Sequence, residues 1–318
     1  MQIFKTPNID FIRWRWHAIA LSALVILAGT AVMATKGLPL GIDFSGGTIV
    51  IVKFDQPVRE DALRTAIDPL AGDEVLQQYG DPAENQWLVR LATAVQEEGT
   101  SLEQGSEAVV DAIRNANLGS FEVISTELVG PVIGRELQFK GIMATLASLV
   151  GIAAYIAIRF RPAFAVGAIA ATLHDILVTV TFLVFFGYDL SLNVVAALLA
   201  ITGYSVNDTI VIFDRVRENL RAVRRESLER VVNLSVNQTL GRTIITAGTT
   251  FFAVLSLFLF GGEVLRGFAF TMLVGIVSGT YSTVFIAAAI AILLGSNKQV
   301  KGRPAASAAR ASGGRKAS

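Results

Sequence analysis

Two hydrophobic patterns alternate along the chain. Long apolar runs occupy 17–35, 163–186, 192–213, 243–260 and 267–294, and a shorter one occupies 141–158. About 18 apolar residues are enough for a helix to cross a bilayer. The pattern therefore predicts six transmembrane helices, at 17–35, 139–158, 163–186, 191–213, 242–260 and 265–294. Between the first two the period shortens. TIVIVKF (48–54), EVLQQYG (74–80), WLVRLAT (87–93) and FEVISTELVG (121–130) read as strands, the second and third separated by the turn-forming pair Asp81-Pro82. REDALRTAI (59–67) and LEQGSEAVVDAIRNA (102–116) carry the spacing of amphipathic helices.

The resulting order, βαββαβ, matches the ferredoxin-like split βαβ unit. The predicted fold class is a polytopic α-helical membrane protein with six transmembrane helices and one α+β domain, residues 36–138, between helices 1 and 2. Composition agrees: 53% of residues are hydrophobic and only 17% charged, against about 25% charged in soluble domains.

Charge sets the orientation. Residues 37–138 hold seventeen of the 26 acidic residues and six basic ones. The segments on the opposite side of the alternating spans are basic: Lys5, Arg13 and Arg15, then Arg159 and Arg161, then six arginines from Arg215 to Arg230. The positive-inside rule places residues 1–16, the loop 214–241 and the tail 295–318 in the cytoplasm, and the α+β domain outside. The tail, rich in Lys, Arg, Ala, Ser and Gly, reads as disordered and held near anionic lipid. The first apolar run is longer than a signal-peptide core and follows sixteen residues, so it reads as a retained helix. With no cysteine, disulfides, thiolate metal sites and thiol nucleophiles are excluded.

Two glycine-rich stretches bracket the domain, GIDFSGGT (41–48) and VGPVIGREL (129–137). The first lacks the GxxxxGK[ST] phosphate-loop pattern and reads as a tight turn leading into a strand. Gly41, Gly46 and Gly47 in one, and Gly130 and Gly134 in the other, are candidate hinges or docking points, because glycine permits close backbone approach.

The candidate chemistry lies inside the apolar runs. GYSVNDTIVIFDRVRE (203–218) places Asp208 in the fourth span, where a charge costs about 2.5–3.5 kcal/mol or more at a helix centre. Tyr204 and Ser205 share its helix face, Asn207 points about a quarter-turn away, and Arg215 follows at the rim. The fifth span supplies Arg242, with Thr246, Thr249, Ala253 and Ser256 following at helical spacing, a small-residue stripe suited to helix packing. A permanent cation beside a titratable carboxylate is the arrangement a group needs to load and release a proton. The competing reading is a neutralised pair that glues two helices.

The third span contains His174-Asp175. Adjacent residues diverge by about 100° on a helix, so the two are not expected to form one site, and a proton relay and a structural hydrogen bond are equally open. One His and one Asp are too few for a metal. GIVSG (275–279), with Thr271, Ser278 and Ser282, offers a packing face in the sixth span.

These motifs carry a resemblance. GIDFSGGT, VGPVIGREL, GYSVNDTIVIFDRVRE, NQTLGRTIITAGTTFF and FGGEVLRGFAFTMLVGIVSGTYSTVFIA together resemble the SecF branch of the SecD/SecF family of bacterial protein-export proteins, within the resistance-nodulation-division superfamily. The resemblance spans about Gly41 to Ala287. It implies six spans and one periplasmic domain in the bacterial inner membrane, both termini cytoplasmic, and no enzymatic role or cofactor. It also implies a partner of similar architecture, SecD, association with the SecYEG channel, YajC as a further candidate partner, and proton-dependent help to an unfolded polypeptide after the SecA-driven step. Membrane lipid is the remaining partner; no nucleic acid is implied. In the family the aspartate of GYSxND and the arginine of TLxRT support proton-dependent function, and these match Asp208 and Arg242 here. A proton-driven exporter of a small molecule or lipid would use the same residues but usually carries two external domains in one chain. An intramembrane aspartyl protease would pair Asp175 with Asp208, and neither lies in a GxGD context.

Overall fold

The computed structural model describes residues 7–70, 74–91, 102–223 and 226–301. Six helices are long and apolar enough to cross a membrane: Ile12–Lys36, Val132–Arg159, Pro162–Phe186, Leu192–Ala222, Leu228–Phe260 and Val264–Gly295. In chain order the elements are α1 (Arg15–Lys36), α2 (Ile42–Ser45), β1 (Gly47–Phe54), α3 (Glu60–Ile67), β2 (Glu74–Tyr79), β3 (Gln86–Leu91), α4 (Leu102–Asn115), β4 (Phe121–Val129), α5 (Pro131–Arg159), α6 (Pro162–Phe186), α7 (Leu192–Ala222), α8 (Leu228–Phe260), α9 (Glu263–Ser282) and α10 (Ala288–Lys301).

The four strands form one antiparallel sheet in the order β2-β3-β1-β4, which is the split-βαβ topology read from the pattern. Alternation decides its faces. Val50, Val52 and Phe54 of β1 and Trp87, Val89 and Leu91 of β3 point inward, where Leu63 and Ile67 of α3 and Val109 and Ile113 of α4 cover them. The last two residues of WLVRLAT lie outside the described residues.

The membrane helices start and stop where backbone chemistry says they should. Pro131 and Pro162 sit in the first turns of α5 and α6, where the missing N–H costs nothing. Ser191 and Ser227 cap α7 and α8 by accepting from the backbone N–H of Val194 and Arg230. α6 ends at Gly187, whose φ of 72° is left-handed. α5 begins eight residues before the predicted span, at Pro131 after the Gly130 cap, and Glu136 and Lys140 pair along its first turns. α7 continues past Phe213 to Ala222, and α8 begins at Leu228, so most of 214–241 is helical. At 31 residues, and about 1.5 Å per residue, α7 outruns a hydrocarbon core of about 30 Å. Its extension is tied to α8 by Asn219, which donates to Ser235 and Gln238, and by Arg215, which donates to Gln238 at 2.7 Å. Of the tail 295–318, residues up to Lys301 continue α10, and the remainder lies outside the described residues.

α9 and α7 make the centre of the bundle, with α6 against both. Their approach is close because glycine permits it: a Cβ on Gly275 would collide with the Ile201 side chain, and one on Gly279 would stand 3.0 Å from Ser205 Cβ. The GIVSG face therefore packs on α7. Just beyond Ser282, the turn Thr283–Ala287 is π-helical and joins α9 to α10, a local widening often found at functional sites.

Candidate functional site

Asp208 is buried in the middle of α7, and its Oδ2 has no hydrogen-bond partner. Arg242 on α8 is the charged group whose field reaches it, yet the two make no ion pair, and Arg242 is exposed. One further buried oxygen on these packed helices, Thr243 Oγ1, also lacks a partner, while the Tyr204 hydroxyl lies beside the hydroxyls of Thr250 and Thr246 and within the field of Asp208. A carboxylate oxygen left without a hydrogen bond is costly in a dry interior, and such a group calls for a physical explanation.

The stripe on α8 is used differently from expectation. Thr249, Ala253 and Ser256 are exposed, and the hydroxyls of Thr246, Thr249 and Ser256 bond back to carbonyls of their own helix. The buried face of α8 carries Val236, Thr239, Thr243, Ala247 and Val254 instead. Asn207 is exposed as well, on the open side of α7.

Ser205 does not serve Asp208. Its hydroxyl donates to Asp175 Oδ2 at 2.5 Å, across the α7–α6 contact. Asp175, 1% exposed, also accepts from Ser278 at 2.7 Å and Ser282 at 2.8 Å, both on α9. His174 Nδ1 lies 3.1 Å from Asp175 Oδ1. The expectation that these neighbours form no common site is thus corrected. Their Cα–Cβ bonds diverge, but both side chains lie in the wedge between α6, α7, α9 and α1, and the rotamers converge there. His174 Nε2 lies 2.9 Å from Ser22 Oγ of α1, and the imidazole stacks on Tyr281 with centroids 6.0 Å apart. Sequence reasoning gave Ser278, Ser282 and Tyr281 no role at this carboxylate, and it left Ser22 unmentioned; the spacing of Ser278 and Ser282, one turn apart beside a GxxxG face, was the available signal.

The glycine motifs meet where the domain joins the bundle. Gly41 N donates to Leu190 O at 2.8 Å and Leu190 N to Pro39 O at 2.7 Å, a short parallel bridge to the α6–α7 loop. Asp43 accepts from Leu192 N at the start of α7. Arg90 of β3 forms an ion pair with Asp189 at 2.7 Å. Burial pushes the Asp189 carboxyl above its ordinary value, against the opposing pull of Arg90. Gly46 and Gly47 follow α2 with φ of 73° and 133°. Gly130 caps α5, and a Cβ on Gly134 would stand 3.0 Å from Gly46 N, so the two motifs pack against each other. Among the described residues, no group of three His, Asp or Glu side chains gathers as metal ligands would.

A split-βαβ domain clamped to a bundle of six apolar helices with two carboxylates in its interior defines a multi-pass membrane protein. The chain belongs to the SecD/SecF family. Residues 108–297 match the family described as protein export membrane protein SecD/SecF, C-terminal, and residues 31–58 match the SecD/SecF GG motif. It is 43% identical to the protein translocase subunit SecF of Calditerrivibrio nitroreducens, over 92% of this chain and 96% of that one. The SecF subunit of Vibrio alginolyticus is 40% identical, over 94% of each chain. Among solved structures it is similar to SecDF, a translocon-associated membrane protein from Thermus thermophilus, with a TM-score of 0.81 and 32% identity. That match covers 92% of this chain and 40% of the SecDF chain, so the chain spans two fifths of that relative.

Proposed function

We propose that the chain is an accessory subunit of a protein-export machine and that the proton gradient drives it through Asp208. The observation that carries the reading is the buried, unpartnered carboxylate of Asp208 within the field of Arg242. Protonating Asp208 weakens that attraction and lets α7 repack against α8. A proton moving inward releases about 2.3 kcal/mol per 100 mV, enough to bias a two-state arrangement of helices. The movement reaches the external domain through the start of α7, which Asp43 and the Gly41–Leu190 bridge tie to the sheet.

A membrane partner of similar architecture, of the SecD kind, covers the open polar side of α7 and α8, where Asn207, Arg242 and Thr249 are exposed and polar groups cannot face lipid cheaply. The SecYEG channel, YajC and an emerging unfolded polypeptide complete the assembly. The membrane is the bacterial inner membrane, both termini are cytoplasmic, and the subunit performs no covalent chemistry. The translocase names of the relatives favour a polypeptide cargo over a small molecule or lipid.

The test is Asp208→Asn, which keeps the volume and removes titration. In cells that depend on this subunit, export should fall to the level of the deletion while the membrane content of the protein stays unchanged. Normal export by this variant would sink the proton-carrier role, and loss of the protein itself would identify Asp208 as a structural residue.

A further inference from the structure

The hydrogen bonds that run from Asp175 to α1 have directions, and the directions count protons. Tyr281 Oη lies 2.6 Å from the Ala18 carbonyl, which can only accept, so the phenolic proton points there. The 3.2 Å contact between Ser22 Oγ and Tyr281 Oη must then use the serine proton. With that proton spent, Ser22 accepts from His174 at 2.9 Å, so Nε2 carries a hydrogen. The other ring nitrogen faces Asp175 Oδ1 at 3.1 Å. Two lone pairs at that separation would repel, so a proton occupies this contact too, on nitrogen or on oxygen. Ser205, Ser278 and Ser282 fill the remaining acceptor sites of the carboxylate.

We propose that His174 and Asp175 form a second proton-holding site, a buried neutral dyad that binds one proton between Nδ1 and Oδ1 and signals its occupancy to α1 through Ser22 and Tyr281. The loaded dyad, whether imidazolium with carboxylate or imidazole with carboxylic acid, carries no net charge, which suits a dry interior. The unloaded dyad carries a net negative charge. Releasing the proton leaves two outcomes for the ring. Either the Nδ1 lone pair faces a carboxylate and the contact opens, or the remaining hydrogen moves to Nδ1 and Ser22 must turn to donate to Nε2, abandoning Tyr281. The second outcome removes the Ser22–Tyr281 link between α1 and α9, the first shifts the imidazole on which Ser22 rests, and α1 leads directly into the GIDFSGGT bridge. The titratable groups on the packed elements are Tyr281 of α9 and Asp208 of α7, three residues beyond Ser205. α1 contributes Ser22 alone, and among the described residues no hydrogen bond or ion pair reaches the dyad from α5, α8 or α10. The role of this site in transport rests on the proton-driven reading; the proton count does not.

The chain has two histidines, so His17→Gln leaves His174 as the one imidazole. Its ¹⁵N spectrum, recorded on the full chain in phospholipid bilayers across a pH series, should show Nε2 protonated at neutral pH and a proton shared between Nδ1 and Asp175. A bare Nε2 with a singly protonated Nδ1 at every pH overturns the proposal. Tyr281→Phe removes the constraint on Ser22 without touching the carboxylate and should release the Nδ1–H tautomer at neutral pH; an unchanged spectrum contradicts the proton count. Asp175→Asn should abolish binding of the extra proton. Asp208→Asn separates the two readings: it should leave the His174 spectrum as in the parent whatever it does to export. A bare Nε2 alongside export lost through Asp208→Asn defeats the dyad alone, and the proposed spectrum alongside normal export defeats the Asp208 reading alone.

Discussion

The split-βαβ domain and the membrane bundle bury opposite things. In the domain, Thr48 is the buried polar residue among the described ones, and the core is Val50, Val52, Phe54, Trp87 and their apolar neighbours. In the bundle the interior holds Asp175, His174, Ser205, Asp208, Ser278, Ser282 and many threonines, while Leu24, Leu27, Val150 and Ile158 face outward. Water makes the first arrangement cohesive, because burying apolar area removes it from solvent. Lipid offers no such gain between helices, so the bundle is held by small residues in close contact and by hydrogen bonds. A polar interior that already holds the helices together is also one in which a proton can change how they pack.

The comparison breaks most visibly at Phe54, which is 1% exposed and lies 5.7 Å from the Phe121 ring centre. Phe54→Ala should cost about 3–5 kcal/mol, a large part of what a small domain possesses. Limited proteolysis of the full chain in membranes should then cut within 36–138 and spare the spans; loss of the spans too would show that the two cores are not separate. A smaller effect, about 1–3 kcal/mol from overpacking, is expected in the bundle for Gly275→Ala, whose methyl would meet Ile201. Trimming Ile201 to alanine in the same chain should recover part of the lost thermal stability in detergent. Additive losses from the two changes would contradict direct packing of GIVSG on α7.

The smallest effect belongs to the seam between the regions. The Asp189 carboxyl is raised, and a raised carboxyl stabilises the folded contact in its protonated form. Packing of Asp189 at the seam should therefore be favoured as pH falls through that raised value, because relief of its desolvation outweighs the lost attraction to Arg90, and disfavoured above it, by less than about 1 kcal/mol for a half-exposed pair. Amide protection at residues 188–192 reports this, and Asp189→Asn should remove the pH dependence. Weaker protection in acid would have the wrong sign.

Much of the fold was legible because each region states its solvent in its period. The split-βαβ order followed from alternation in TIVIVKF and WLVRLAT, and the helices from uninterrupted apolar runs. Asp208 stood out because a charge in such a run is expensive. What periodicity could not convey was which polar side of a helix meets its own bundle. Thr249 and Ser256 face outward, and Ser205 turns to Asp175, because a stripe of hydroxyls looks the same whether it packs on a helix of this chain or of another. Nor could helical angles foretell that the adjacent His174 and Asp175 share one wedge, since rotamers, not Cβ directions, decide it. The absent ion pair between Asp208 and Arg242 is likewise a matter of distance that spacing does not fix.

The central claim is that the state of Asp208 sets the position of the split-βαβ domain, and one distance measurement addresses it. Because the chain lacks cysteine, spin labels can be placed singly at Gln78 on the sheet and at Phe186 at the end of α6. With the chain and its membrane partner in sealed vesicles, imposing a proton gradient should shift the distribution of distances between the labels. Asp208→Asn should abolish that shift. A distribution that moves equally in the variant, or that does not move in the parent chain, would contradict the account.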